Sequence, residues 1–139
     1  MKPTRFILVD DDALNNTLCR FYIEHALPNM EIIDFIVPEK GFHYLETAFA
    51  NDVPKPSVLL LDLNMPGMSG WEFLKNYQWL DQKIRAQITI YILTSSENNR
   101  DKDFASGNEY VKRYLEKPLS KNIVNELFEE SDFENILSG

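Results

Sequence analysis

The stretch SVLLLDLNMPG, residues 57–67, contains the pattern that decides the fold class. Four consecutive apolar residues lead directly into Asp62, and Pro66 and Gly67 follow in the next few positions. A short apolar run that ends in turn residues is typical of a strand covered on both faces, as in a parallel sheet. Residues 57–61 therefore form a predicted central strand that ends immediately before a carboxylate.

Other short apolar runs predict four further strands. They are rich in β-branched and aromatic residues and are followed by polar or turn-forming residues, which favours strands over helices. The runs cover residues 6–9, 31–37 and 88–93 and the neighbours of Tyr114 and Leu115.

Helical patterns separate these strands. Pro38 suits the first turn of the second helix, a third helix follows the loop after Asp62, and the last helix starts at Ser120. A polar segment over residues 97–109 has only a weak helical pattern. The first helix carries apolar residues at Leu14, Leu18, Phe21, Tyr22 and Ala26. Alternating strands and helices predict an α/β sandwich, because parallel neighbours need crossover connections and the helices then cover both faces of the sheet.

The composition limits the function. With 139 residues the chain is expected to form one domain, and a net charge of -8 makes nucleic acid and anionic membranes poor partners. The apolar run at residues 6–9 is too short for a signal peptide or a membrane span, so we expect a cytoplasmic protein. The single cysteine, Cys19, is predicted to pack in the core.

Polar residues follow four of the predicted strands. In a parallel sheet the carboxyl ends of the strands share one edge, where ligands bind, so these side chains are expected to converge. They are Asp10, Asp11, Asp62, Thr94 and Lys117.

Three carboxylates placed together repel one another unless a cation neutralises them. Mg²⁺ prefers oxygen ligands and is commonly held by one or two carboxylates together with phosphate oxygens. A carboxylate beside Mg²⁺ and a lysine can attack phosphorus and form an aspartyl phosphate. The pattern therefore identifies Asp62 as a candidate phosphoacceptor.

Four motifs in this order resemble the receiver domain of two-component response regulators, of the stand-alone, CheY-like type. They are VDDD at 9–12, LLLDLNMPGMSG at 59–70, ILTSS at 92–96 and YLEKPL at 114–119. The resemblance covers nearly the whole chain and implies a flavodoxin-like, doubly wound (βα)5 sandwich with strand order 2-1-3-4-5. It places the domain at residues 1–130 and leaves 131–139 as a short tail or helix extension.

The resemblance also implies a metal site for Mg²⁺, with Mn²⁺ as the alternative ion. Asp62 would be the phosphorylated residue and Asp11 a direct metal ligand. Asp10 would act largely through water, and the backbone carbonyl of Asn64 would complete the protein ligands.

Further roles are implied around the phosphoryl group. Thr94 would hydrogen-bond to it, Lys117 would pair with one of its oxygens, and Tyr114 would be the aromatic switch residue. Asn64 and Ser96 occupy positions that tune the lifetime of the phosphate. The Lys117–Pro118 bond is expected to be cis.

As a receiver, the protein would take its phosphoryl group from a sensor histidine kinase or a histidine phosphotransfer protein. Phosphorylation would change the face built from the fourth helix, the fifth strand and the fifth helix. That face would bind an unknown downstream protein, and the domain would be a monomer or a phosphorylation-dependent dimer. The segment after Gly107 is longer than in many receivers, which places Tyr110, Val111 and Arg113 near the partner surface.

Two alternatives remain at this point. A degenerate receiver could bind partners without phosphorylation, although the complete set of five polar residues argues against it. A phosphatase of the haloacid dehalogenase type also uses a strand-end aspartate, but it requires a second acid where this chain has Asn64.

Overall fold

The computed structural model describes residues 1–49, 53–95 and 107–133. Its five strands form one parallel sheet in the order β2-β1-β3-β4-β5, which confirms the flavodoxin-like fold. The strands are β1 Arg5–Val9, β2 Glu31–Phe35, β3 Ser57–Leu61, β4 Ile88–Thr94 and β5 Val111–Glu116. The helices within the described ranges are α1 Ala13–Ala26, α2 Pro38–Ala48, α3 Gly70–Tyr77, α4 Gln82–Arg85 and α5 Lys121–Glu130.

Alternate residues of the central strands point to opposite faces of the sheet and build two apolar cores. On β3, Leu59 and Leu61 pack in the core beneath α2 and α3, whereas Val58 and Leu60 pack in the core beneath α1 and α5. All four side chains are buried, which accounts for the uninterrupted apolar run.

Helix α1 is confirmed, but its buried face differs from the expected apolar stripe. Leu14, Leu18 and Phe21 are exposed, while Cys19 and Ile23 face the core. The first turn of α1 begins beside the polar edge of the sheet, so polar side chains occupy its inward positions there. The predicted packing of Cys19 in the core is confirmed.

The segment after Gly107, which was expected near the partner surface, packs partly against the core. Tyr110 packs edge-on against Tyr77, with ring centroids 5.3 Å apart, and accepts a hydrogen bond from Nη1 of Arg85 at 3.3 Å. Val111 also packs against this core. Ile90 pairs with Val111, whereas the next residue of β4, Tyr91, pairs with Arg113. Lys112 is therefore the extra residue of a β-bulge in β5.

Several other expectations are corrected or lie outside the described residues. Helix α4 was not predicted because it spans only four residues. The side chain of Trp79, just after α3, is 80% exposed. Most of the predicted fourth helix, together with Ser96 and residues 134–139, lies outside the described ranges. No helix within those ranges combines the length and apolar character needed to cross a bilayer.

Candidate functional site

The register of β1 and β3 brings Asp10 and Asp62 side by side. Val9 pairs with Leu61, so the next residue of each strand emerges at the same level of the sheet. The backbone N–H of Asp62 donates to the carbonyl of Val9 at 3.0 Å, which extends this pairing to the strand ends. Both aspartates are buried, although charged side chains seldom are.

The register of β4 and β5 brings Thr94 and Lys117 to the same edge. Thr94 pairs with Glu116, and the N–H of Lys117 donates to the carbonyl of Thr94 at 2.9 Å. The following Lys117–Pro118 peptide bond is cis, as the resemblance implied.

Three carboxylates and one ammonium group form the centre of the site. One oxygen from each of Asp10, Asp11 and Asp62 lies within 4.8 Å of the others. Nζ of Lys117 is 2.7 Å from Oδ2 of Asp10 and 3.5 Å from Oδ2 of Asp62. The positive charge of Lys117 therefore offsets the negative charges of the two buried carboxylates, Asp10 and Asp62.

The surroundings of the site raise the pKa values of Asp10 and Lys117. Burial raises the pKa of Asp10 to about 6 despite the hydrogen bond from Lys117, and the nearby charge of Asp62 acts in the same direction. Burial opposes the charge on Lys117, but the hydrogen bond and charges of Asp10 and Asp62 outweigh it, so the pKa of Lys117 is raised. Asp10 consequently takes up a proton at a higher pH than an ordinary aspartate does.

The loop after β3 is shaped by close backbone contacts. Gly67 has a φ of +80°, which other residues rarely adopt. A Cβ on Gly70 would lie 2.4 Å from the carbonyl oxygen of Asp62 and 2.7 Å from Cα of Leu63. Ser69 then caps α3 by accepting a hydrogen bond from the N–H of Glu72. Gly67 and Gly70 thus allow the loop after β3 to pack closely against the backbone of Asp62, the candidate phosphoacceptor.

Thr94 is buried with its hydroxyl unsatisfied. Its side chain is 1% exposed, and Oγ1 has no hydrogen-bond partner among the described residues. A buried hydroxyl without a partner costs free energy, so its presence at this edge indicates a group held ready for a ligand.

We expect Thr94→Val to raise the free energy of unfolding of the unphosphorylated protein by about 1 kcal/mol, because the change removes an unsatisfied hydroxyl at constant volume. Urea denaturation measures the change. Thr89→Val, a half-buried position on the same strand, controls for the preference of valine for strands. A loss of stability in Thr94→Val relative to this control would show that the hydroxyl of Thr94 does have a hydrogen-bond partner in the unphosphorylated protein.

The remaining predicted site residues are placed less centrally. Tyr114 pairs with Ile92, two residues before Thr94, and packs partly buried against the core beneath α2 and α3. Asn64 is exposed, and its N–H donates to Oδ1 of Asp62 at 3.4 Å.

Two asparagines on α1 were missed by the sequence interpretation. Nδ2 of Asn15 donates to Oδ2 of Asp10 at 2.9 Å, and Nδ2 of Asn16 donates to the backbone carbonyl of Asp10 at 3.0 Å. Both side chains are buried. The signal was present in the spacing, because Asn15 precedes Cys19 and Ile23 by one and two helical turns and therefore shares their inward face.

The donor set fits a divalent cation and a phosphoryl group. Clustered carboxylate oxygens suit Mg²⁺, and an ammonium beside an unsatisfied hydroxyl suits the oxygens of a transferring phosphoryl group. The neutral amide of Asn64 stands two residues after Asp62, where a phosphatase of the haloacid dehalogenase type would need a second acid.

Comparison with known proteins agrees with the family that the four sequence motifs resemble. A family model described as the response regulator receiver domain matches residues 6–129. The cyclic di-GMP phosphodiesterase response regulator RpfG of Xanthomonas campestris pv. campestris (strain 8004) is 28% identical over 113 residues, which make up 81% of this chain. Those residues span only 28% of that relative.

Solved structures extend the similarity to the whole fold. A two-component response regulator from Cytophaga hutchinsonii is 26% identical with a TM-score of 0.80, and the match covers 100% of both chains. A response regulator receiver protein from Dyadobacter fermentans DSM 18053 is 25% identical with a TM-score of 0.79, over 90% of this chain and 94% of that one.

Proposed function

Because the chain belongs to the response regulator receiver domain family of two-component signalling, we propose that it accepts a phosphoryl group on Asp62. The donor would be a sensor histidine kinase or a histidine phosphotransfer protein. The observation that carries this proposal is the buried carboxylate of Asp62, which lies within 4.8 Å of two further carboxylates and 3.5 Å from Nζ of Lys117. The phosphohistidine of such donors is formed with ATP, and the proposal therefore includes a cytoplasmic location.

In the proposed reaction, an oxygen of Asp62 forms a bond to phosphorus while the bond between phosphorus and the donor's imidazole nitrogen breaks. The imidazole nitrogen keeps the electron pair of the broken bond, and an imidazolate formed in this way takes up one proton from solvent to give neutral histidine. Lys117 would neutralise an oxygen of the transferring group, and the hydroxyl of Thr94 would donate a hydrogen bond to it. The phosphoryl group would thus give the hydroxyl of Thr94, which has no partner among the described residues, a hydrogen-bond acceptor.

Asp10, Asp11 and Asp62 would hold Mg²⁺, with the backbone carbonyl of Asn64 as a further ligand. A bound Mg²⁺ would offset the negative charge that gathers between the donor phosphate and these carboxylates. The close approach of three carboxylates supports this assignment, because their repulsion is relieved by a divalent cation.

Phosphorylation would be communicated through β4 and β5. Thr94 would move toward the phosphoryl group, and Tyr114, whose paired residue Ile92 lies two positions before Thr94, would turn inward. Arg113 on β5 contacts Glu130 of α5 at 3.2 Å, so the fifth strand and last helix already share one surface. We propose that a downstream protein binds this surface when Asp62 is phosphorylated.

Beryllofluoride, which mimics a phosphoryl group on a carboxylate, tests the switch. With Mg²⁺ it should shift the NMR resonances of Thr94, Tyr114 and the residues of α5 in the wild type. Asp62→Asn should show none of these shifts. Shifts confined to the immediate surroundings of Asp62 would contradict the proposed communication.

The affinity for Mg²⁺ should fall about tenfold between pH 7.5 and pH 5. The reason is the raised pKa of Asp10, about 6, because below that pH a proton competes with the cation for this carboxylate. Isothermal titration calorimetry at both pH values measures the effect. Asp10→Asn should bind more weakly but with a flatter pH profile, and equal wild-type affinities at the two pH values would exclude Asp10 as the titrating ligand.

A further inference from the structure

We infer that Asn15 is a positioning residue that holds the carboxylate of Asp10 within the acidic site, a role that rests on the proposed binding of Mg²⁺. Asn15 lies in the first turn of α1 and is 8% exposed. Its Nδ2 donates to Oδ2 of Asp10 at 2.9 Å.

The carboxylate of Asp10 is held from two directions. Lys117 contacts Oδ2 at 2.7 Å from the β5 side of the site. From the α1 side, Asn15 contacts the same oxygen, and the backbone N–H of Asp12 donates to Oδ1 at 2.9 Å. The hydrogen bonds from the α1 side do not depend on the position of Lys117.

This independence matters once Lys117 pairs with a phosphoryl oxygen on Asp62. Asp10 then loses its contact with the ammonium but keeps those with Asn15 and Asp12. Repulsion from the neighbouring carboxylates would otherwise favour rotation of Asp10 out of the site. Asn15 opposes that rotation with a neutral donor, which adds no charge to compete with the cation.

Asn16 provides a matched comparison within the same helical turn. It is also buried, and its Nδ2 also contacts Asp10, but it donates to the backbone carbonyl at 3.0 Å and not to the carboxylate. Removing either amide deletes one buried hydrogen bond to Asp10. Only the loss of Asn15 removes a hydrogen bond from the carboxylate itself, which then keeps its contacts with Asp12 and Lys117.

The test compares Asn15→Ala, Asn15→Leu and Asn16→Ala with the wild type, all unphosphorylated. Asn15→Leu leaves no cavity beside Cys19 and covers the case in which the alanine variant folds poorly. Titration calorimetry should give a dissociation constant for Mg²⁺ that is about tenfold higher in both Asn15 variants and within about twofold of the wild type in Asn16→Ala.

Phosphorylation by acetyl phosphate provides a second readout. In the Asn15 variants the Mg²⁺ concentration for half-maximal rate should rise about tenfold, while the rate at saturating Mg²⁺ stays within about twofold of the wild type. A lower rate at saturating Mg²⁺, with an unchanged Mg²⁺ concentration for half-maximal rate, would overturn the positioning role.

The remaining outcomes separate this inference from the proposed function. Wild-type Mg²⁺ affinity in a folded Asn15→Leu protein overturns the role of Asn15 and leaves the proposed function standing. Equal weakening in Asn16→Ala overturns it as well, because the effect would then come from the fold of the turn. A wild type that does not bind Mg²⁺ at all overturns both.

Discussion

Replacement of Gly70 by alanine is expected to lower the free energy of unfolding by about 3 kcal/mol or more. The added Cβ would lie 2.4 Å from the carbonyl oxygen of Asp62 and 2.7 Å from Cα of Leu63, and both neighbours are backbone atoms that cannot rotate away. The loop after β3 must therefore move, and Asp62 moves with it. Urea denaturation should show the loss of stability, and acetyl phosphate should label the variant more slowly.

Gly107→Ala is the matched control. A Cβ at Gly107 would meet no atom of the described residues within 4 Å, so the same substitution there should change the stability by no more than about 0.5 kcal/mol. A Gly70→Ala protein as stable as Gly107→Ala would show that the loop can relax, and the tight return against Asp62 would no longer explain the glycine.

Lys117→Gln is expected to destabilise the Mg²⁺-free protein by about 3 kcal/mol at pH 8, because it leaves two buried carboxylates without their cation. The deficit should shrink as the pH falls from 8 toward about 6 and should change little below that value. Asp10 already has a raised pKa near that value, and without Lys117 its pKa would rise further, so protonation removes the uncompensated charge.

Mg²⁺ should restore part of this loss, because it replaces the missing positive charge. Thermal unfolding of Lys117→Gln with EDTA and with Mg²⁺ measures the recovery, and Lys121→Gln, an exposed position, serves as the control. Adding Asp10→Asn to Lys117→Gln should also recover stability. A Lys117→Gln protein with wild-type stability at both pH values would contradict the electrostatic account of the site.

The sheet was predictable because its central strands β3 and β4 are largely apolar on both faces. Residues 58–61 have no polar position, which favours a central parallel strand, and the observed β3, Ser57–Leu61, contains them. The convergence of strand-end residues followed from the shared edge of a parallel sheet. The parallel register then brings Asp62 next to Asp10.

Other features could not be deduced because they depend on tertiary packing. Leu14 and Leu18 have the spacing of a buried helix face but are exposed, since the polar edge of the sheet requires the inward positions of that turn for Asn15 and Asn16. The bulge at Lys112 depends on the register of β5 against β4, and no local pattern marks it. The orphaned hydroxyl of Thr94 is likewise visible only in three dimensions.

Phosphorylation of Asp62 is the central claim, and intact-mass spectrometry after incubation with acetyl phosphate tests it most directly. The wild type should gain the mass of one phosphoryl group in the presence of Mg²⁺, and neither the wild type with EDTA nor Asp62→Asn with Mg²⁺ should gain it. Absence of the gain in the folded wild type would contradict the account and favour a receiver that binds partners without phosphorylation.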